Sequence, residues 1–309
     1  MVNNLKIYKN FIVNKKHQNS IILIGNFDGL HLGHQKLFQL AQKYKKKVKL
    51  QLGVITFDPI PKMFFNKKLK NYRISNIDQK INYLKKYNVD FIINKKFDWR
   101  FSKIKSYNFI NHILSKKLKA KYIFVSNNFR FGNKREGDVK LLKSLSNKYN
   151  YKIVNPTPLK KKNKIISSTF IRKLLSSGKL DYANRCLNRL WSIEGKVQRG
   201  RKMGKKIGFP TCNLELSDYL IAKPGVYAVN VKCKGIKYNL KGIANLGYRP
   251  TFNQKKILLE VNIFNFNRNL YNKKLSVEFK KFIRGEKKFK GVAQLRNQIR
   301  KDLKEAKKN

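Results

Sequence analysis

The sequence predicts a two-part chain: an α/β half built on a doubly wound parallel sheet, then a small antiparallel β-barrel with a terminal helix. Two observations predict it. Through the first 185 residues, apolar strand-like runs alternate with helix-like segments, the pattern of parallel strands joined by crossover helices. Beyond residue 186 the chain changes to short β-like runs separated by Gly, Pro and Asn, ending in one amphipathic stretch. We place the boundary there, giving domains 1–185 and 186–309.

In the first half, Ile21–Ile24 reads as a strand and Gln35–Tyr44 as a helix. Lys49–Phe57 reads as the next strand, running into Thr56-Phe57-Asp58-Pro59-Ile60-Pro61, whose prolines predict an exposed extended loop. Asn76–Tyr87 reads as a helix, and Phe91–Ile93 and Tyr122–Ser126 are apolar enough for buried parallel strands. The strand at 122–126 is followed by Asn127-Asn128-Phe129-Arg130-Phe131-Gly132, a loop offering two aromatic rings among basic groups. Ser167, Ser168 and Thr169 open a helix, with Arg172 one turn after Ser168 on the same face, and Asp181–Leu190 reads as a linking helix. In the second half, Val226–Val231, Gly242–Asn245, Ile257–Phe264 and Leu275–Phe282 are the predicted barrel strands. Val292–Lys307 is the terminal helix, with Leu295, Ile299 and Leu303 on one stripe.

The bulk composition bounds the function. The 309 residues, 41% hydrophobic, can bury two cores, and no apolar run approaches the ~20 residues that span a bilayer. No leader pattern precedes the first strand, and three cysteines without metal-like spacing fit a reduced cytoplasm. The net charge of +56 comes from 58 lysines and 14 arginines spread along the whole chain, with only short runs such as Lys45–Lys47 and Lys160–Lys162. Without a nucleic-acid motif this charge predicts attraction of anionic substrates, not a specific nucleic-acid partner. No membrane role is expected, and the chain is expected to be a monomer or weak oligomer.

The most informative stretch is Gly25-Asn26-Phe27-Asp28-Gly29-Leu30-His31-Leu32-Gly33-His34, directly after the first apolar run. Two of only four histidines sit three residues apart where a helix begins, and helix N-termini favour anions. Two imidazoles there make a cradle for a triphosphate; read blandly, the same residues are a turn whose histidines cap and pack. In the second half, Gly200, Gly204 and Gly208 interleave with Lys and Arg, a loop suited to polyphosphate or a plain hairpin. Thr211 and Asn213 alternate, so an extended chain puts both side chains on one face, where neutral oxygens can hold Mg²⁺. Glu260 lies inside Leu258–Phe264 as one of only 16 acids, either a surface carboxylate or a general base.

The His-x-Gly-His segment resembles the signature of the nucleotidylyltransferase superfamily, which binds ATP phosphates during adenylyl transfer. With Thr56–Pro61, the Asn127–Asp138 loop and Ile166–Arg172, it resembles the adenylyltransferase half of the prokaryotic bifunctional riboflavin kinase/FAD synthetases. Gly208–Asn213, Pro224–Val229, Asn245–Phe252 and the strand carrying Glu260 resemble that family's riboflavin kinase module. Ser126 replaces the family's usual glycine, Phe170 stands where many relatives carry arginine, and Asn269-Leu270-Tyr271-Asn272 replaces an Asp-Leu-Tyr-Gly turn.

The resemblance implies two ATP-dependent steps, riboflavin to FMN and FMN to FAD with release of pyrophosphate, in two separate sites. It implies that Glu260 is the kinase base, that Thr211 and Asn213 bind Mg²⁺, and that the Gly200–Gly208 loop covers phosphates. It further implies that Gly25, Phe27, Asp28, Gly29, His31, His34, Ser168, Thr169 and Arg172 bind ATP phosphates, and that Asn128 and Phe129 hold the flavin. Rivals are an adenylyltransferase for another phosphate ester, a basic RNA-associated protein and a decayed enzyme that stores flavin.

Overall fold

The computed structural model describes residues 5–161, 163–199, 204, 207–236, 239–250 and 255–308. Two compact units emerge: Met1–Lys70 with Ile77–Ser167, and Asn71–Asn76 with Ser168–Asn309.

The first unit carries, in order, β1 (Lys6–Tyr8), β2 (Ile21–Ile24), α1 (Leu32–Val48), β3 (Leu52–Asp58), α2 (Pro61–Phe65), α3 (Ile77–Lys85) and β4 (Phe91–Lys96). Then come α4 (Trp99–Ser102), α5 (Ser106–Asn108), a π-helical stretch Phe109–Lys117, β5 (Tyr122–Phe124), the β6–β7 hairpin (Arg130–Phe131, Gly137–Asp138), α6 (Val139–Ser144), β8 (Lys152–Val154) and the β9–β10 hairpin (Lys160–Lys161, Lys164–Ile165). Six strands form a wholly parallel sheet in the order β1-β4-β3-β2-β5-β8. A parallel sheet is covered on both faces, which is why its strands are continuous apolar runs. Alternation divides them: Ile22 and Ile24 join one core with Phe91, Ile93 and Phe109, while Ile21 and Leu23 join the other with Leu37, Phe38 and Ile92.

This order locates the ligand edge. The chain winds outward from β2 through β3 to β4, then restarts at β5 on the other side of β2 and continues to β8. Winding reverses between β2 and β5, and ligands of doubly wound sheets bind outside the carboxyl ends of the strands at such a switch. The turn carrying the two histidines leaves β2 there, and the loop with Asn128 and Phe129 leaves β5.

The second unit opens with α7 (Ser168–Ser176) and α8 (Leu180–Leu187). The barrel strands are β11 (Trp191–Gln198), β12 (Cys212–Glu215), β13 (Gly225–Cys233), β14 (Leu240–Pro250), β15 (Lys255–Ile263) and β16 (Lys274–Gly285), followed by α9 (Val292–Lys307). The barrel closes in the order β11-β12-β15-β14-β13-β16, with β16 returning to β11 and every pairing antiparallel. Leu214, Leu246, Leu259, Val277 and Phe279 are fully buried. Helix α9 rests through Leu303 and Ala306 on Val226, Ala228 and Ile243.

Two expectations change and one gains a residue. The prolines after β3 do not hold an extended loop: Pro61 is the first residue of α2, a position where proline loses no hydrogen bond. Strands β11 and β12 carry Gly195 and Cys212-Asn213 among shorter apolar runs, which hid them from pattern reading. The expected stripe of α9 faces the barrel, with Leu295, Ile299 and Leu303 half-buried, and Asp302 and Ala306 on the same side are its buried residues. Arg284 accounts for the burial of Asp302, its Nη2 meeting Asp302 Oδ2 at 2.7 Å and its Nε donating to both carboxylate oxygens.

Candidate active sites

In the first unit the site begins where β2 ends. Gly25 N–H still donates to Ile55 O at 3.1 Å, and then the chain folds sharply. Phe27, Gly29 and Leu30 all take left-handed backbone, at φ of 47°, 75° and 35°. His31 is extended (φ −71°, ψ 170°) as the N-cap of α1, yet its side chain makes no cap bond. The Gln35 amide donates back to Leu30 O at 2.9 Å and ties the turn to the helix. The capping reading of His31 therefore fails, and its imidazole lies on His34 instead, ring centroids 3.7 Å apart at 22°. His31 is buried and His34 half-buried.

Space at Gly33 is tight: a Cβ there would lie 3.1 Å from Ile166 O and 3.2 Å from the His31 ring, so both would have to give by a few tenths of an ångström. The Phe27 ring is core, edge-on to His34 at 5.3 Å and to Phe38 at 5.1 Å, so any phosphate contact of Phe27 falls to its backbone. Asp28 is also buried.

At the end of β5, Asn128 is exposed and its Oδ1 accepts from the Ser126 hydroxyl at 2.9 Å. Phe129 and Phe131 stack at 5.4 Å and 16°. Phe131 is buried against Phe109, so of the two rings expected to face a ligand, only Phe129 keeps part of its surface outward. Sequence reading missed a polar relay behind the turn: fully buried Lys80 donates to Thr56 Oγ1 at 3.1 Å, and that hydroxyl donates to Asn26 O at 3.2 Å. A lysine inside an amphipathic helix reads as solvated, and only the fold shows that it faces inward.

Ser168 is the first residue of α7, Thr169 is exposed and Arg172 half-buried. Arg172 Nε donates to Tyr72 O at 2.8 Å, and its guanidinium lies 3.6 Å from the centre of the Tyr72 ring. Phe170, in place of the family's arginine, packs edge-on against Tyr182 at 5.6 Å.

In the barrel, register brings two of the expected residues together, Asn213 and Glu260, while Thr211 lies exposed just before β12. Asn213 pairs directly with Glu260 across β12 and β15, and Asn245 pairs with Glu260 from β14. Residues directly opposite share a face, with Cβ atoms roughly 5 Å apart. The flanking Leu214, Leu259 and Leu246 point into the barrel, fully buried. Asn213, Glu260 and Asn245 therefore form a polar row on the other face.

Asn213 is nevertheless only 6% exposed, and its buried Oδ1 has no hydrogen-bond partner among the described residues. A buried carbonyl oxygen left so costs about 1–3 kcal/mol unless something accepts its lone pairs. That is the donor a hard cation takes.

Just before β12, Gly204 lies close to Phe209 and Thr211. Phe209 N–H donates to Gly204 O at 2.8 Å, and a Cβ on Gly204 would come 2.4 Å from Phe209 O and 3.2 Å from Thr211 Oγ1. Only glycine fits. Gly208 has φ of 88°, and Gly200 lies outside the described residues, as do Thr251 and Phe252 of the Asn245–Phe252 motif. Burial pushes the Cys212 thiol up to about 11, so it stays protonated between Thr211 and Asn213. Among the described residues, no three His, Cys, Asp or Glu side chains gather as a metal cluster.

The substituted turn at 269–272 is closed by its two asparagines. Asn269 Oδ1 accepts from Tyr271 N at 2.9 Å, as an aspartate would, and Asn272 takes the left-handed conformation (φ 63°) in place of glycine.

Residues 13–170 match a family model described as FAD synthetase, and residues 187–309 one described as riboflavin kinase. A bifunctional riboflavin kinase/FMN adenylyltransferase of Buchnera aphidicola is 42% identical over 95% of each chain. The Escherichia coli K12 protein of the same name is 36% identical over 91% of this chain and 90% of its own. A crystal structure titled macrolide-efflux protein, from Streptococcus pneumoniae, aligns with TM-score 0.85 and 28% identity over 99% of each chain. Among the described residues no helix is long and apolar enough to cross a membrane. With both modules matched in order and with relatives alike over nearly their whole length, the chain belongs to the bifunctional riboflavin kinase/FMN adenylyltransferase family, phosphorylating riboflavin to FMN and adenylylating FMN to FAD at the expense of ATP.

Proposed function

We propose that the kinase step is carried by residues 186–309 and the adenylyl transfer by residues 1–185, each in its own site. The boundary falls in the interval between the two family matches. The observation that carries the kinase assignment is the register pairing of Asn213 with Glu260, beside a buried amide oxygen lacking a partner among the described residues.

In the barrel, Glu260 accepts the proton of the ribityl 5′-hydroxyl as that oxygen bonds to the γ-phosphorus of ATP. The bond to the β-phosphate oxygen breaks and ADP leaves. ATP-dependent transfers of this kind need a divalent cation, and Thr211 and Asn213 would hold Mg²⁺. Bound there, it supplies charge neutralisation to the phosphates. Gly204 and Gly208 let backbone N–H groups approach the same phosphates, with Gly200 assigned the same role from its motif.

In the parallel-sheet module, an FMN phosphate oxygen bonds to the α-phosphorus of ATP and pyrophosphate leaves. The nucleophile is already anionic near neutral pH, so no base is required. His31 and His34 donate hydrogen bonds to the phosphate oxygens, with backbone from Gly25 to Gly29 closing around them. Ser168, Thr169 and Arg172 are assigned to ATP phosphate from their motif, and Asn128 and Phe129 hold the flavin. Positioning and charge stabilisation are the whole of the catalysis.

The test is incubation of the purified protein with riboflavin, ATP and magnesium, with FMN and FAD separated over time. FMN is expected to rise first and FAD to follow. FMN alone, or neither product, would contradict the reading.

A further inference from the structure

Residues Asn71–Asn76 belong in sequence to the connection between α2 and α3, yet they pack in the second unit. There they are held almost as an added strand. Arg73 forms a parallel bridge with Tyr219. Tyr72 N and Arg73 N both donate to Asp218 O at 3.0 Å, and Leu220 N donates to Arg73 O at 2.7 Å. The Asn71 amide donates to Ser217 O at 2.9 Å and Tyr219 O at 3.1 Å, and the Trp191 indole donates to Ile74 O at 2.9 Å. The buried Arg73 side chain also pairs with the Asp218 carboxylate. The backbone is thus pinned on both sides of Tyr72.

What Tyr72 holds is Arg172. Its carbonyl accepts from Nε at 2.8 Å while its ring lies 3.6 Å beneath the guanidinium. One contact fixes the edge of the planar group and the other its face, so together they set the tilt and rotation of the guanidinium. A lysine could not be held this way, because it has no plane to orient. An arginine on a helix otherwise gives up much rotamer freedom each time it binds.

We propose that Tyr72 is a positioning residue for FMN adenylylation, holding Arg172 in the orientation that meets the transferred phosphate. This rests on the reading of Arg172 as a phosphate-binding residue. The ordering of Arg172 is met on folding, so it need not be met again in the transition state.

The test uses the full-length protein with Tyr72→Ala, Tyr72→Phe, Arg172→Ala and the Tyr72→Ala/Arg172→Ala pair. FAD formation gives kcat and KM for ATP, and the riboflavin kinase rate of the same samples reports that the barrel unit is intact. Tyr72→Ala should lower adenylylation kcat/KM by about three- to thirty-fold, the range of a partly desolvated cation–π contact, while the kinase rate holds. Tyr72→Phe keeps ring and carbonyl and should restore the rate. In the Arg172→Ala background, Tyr72→Ala should cost nothing more. A wild-type adenylylation rate in Tyr72→Ala, a loss that adds in full to that of Arg172→Ala, or a parallel loss of kinase would overturn the proposal. Arg172→Ala adenylylating at the wild-type rate would instead overturn the reading of Arg172 itself, and the proposal with it.

Discussion

Replacing Asn213 with leucine separates stability from activity, because the structure sends the two in opposite directions. The side chain is 6% exposed and its Oδ1 is buried without a hydrogen-bond partner among the described residues. Such an oxygen costs the fold about 1–3 kcal/mol, and leucine fills a similar volume without it. Allowing for imperfect repacking, Asn213→Leu should stabilise the metal-free protein by about 1 kcal/mol, raising the barrel's melting midpoint by roughly 2–4 °C. Losing a cation donor should lower riboflavin kinase kcat/KM by ~100-fold or more and raise the magnesium concentration for half-maximal rate by about tenfold. Differential scanning fluorimetry in EDTA, with FMN formation followed by chromatography across a magnesium titration, reads both effects. A variant that melts lower yet keeps its kinase rate and magnesium dependence would refute the reasoning, for Asn213 would then be a structural residue.

Gly204→Ala places a Cβ against the Phe209 carbonyl, so the kinase rate should fall at least about tenfold while FMN adenylylation persists; equal loss of both would point to general misfolding. Asp302→Ala leaves Arg284 without its carboxylate and should destabilise the second unit by about 3–5 kcal/mol in urea unfolding; a loss under about 1 kcal/mol would show that the pair does not anchor α9. Cys212, held protonated up to about 11, should be alkylated slowly at pH 8 and faster as pH approaches 11. Because folding raises that value above its usual 9.0, the contribution to stability is complete below pH 9 and lost as pH rises towards 11. Peptide-resolved labelling with iodoacetamide checks it, and rapid modification at pH 8 in the native protein would contradict the burial.

How much was legible follows the physics of each segment. Ile21–Ile24 and Phe91–Ile93 are buried on both faces, and such strands announce themselves as unbroken apolar runs. The alternation around Glu260 gave its face correctly, because one side of β15 is core and the other is not. The Val292–Lys307 helix was legible to the residue and so was its packed stripe, but the burial of Asp302 was not, since Arg284 on another strand decides it. Phe131 shows the same limit: an aromatic in a polar loop reads as ligand-facing until Phe109 is found beneath it. Strand β12 hid because Asn213 and Glu215 interrupt the apolar pattern. Lys80 and Tyr72 were silent, since both owe their significance to long-range packing that no local spacing encodes.

The central claim, two independent phosphate-transfer sites on one chain, is tested most directly by crossing Glu260→Gln with the His31→Ala/His34→Ala pair and assaying both steps in each protein. Glu260→Gln should abolish FMN formation and still convert supplied FMN to FAD. The double histidine variant should still make FMN but release no pyrophosphate from ATP and FMN. Loss of both reactions in either protein, or FAD formation at the wild-type rate without the histidines, would contradict the account.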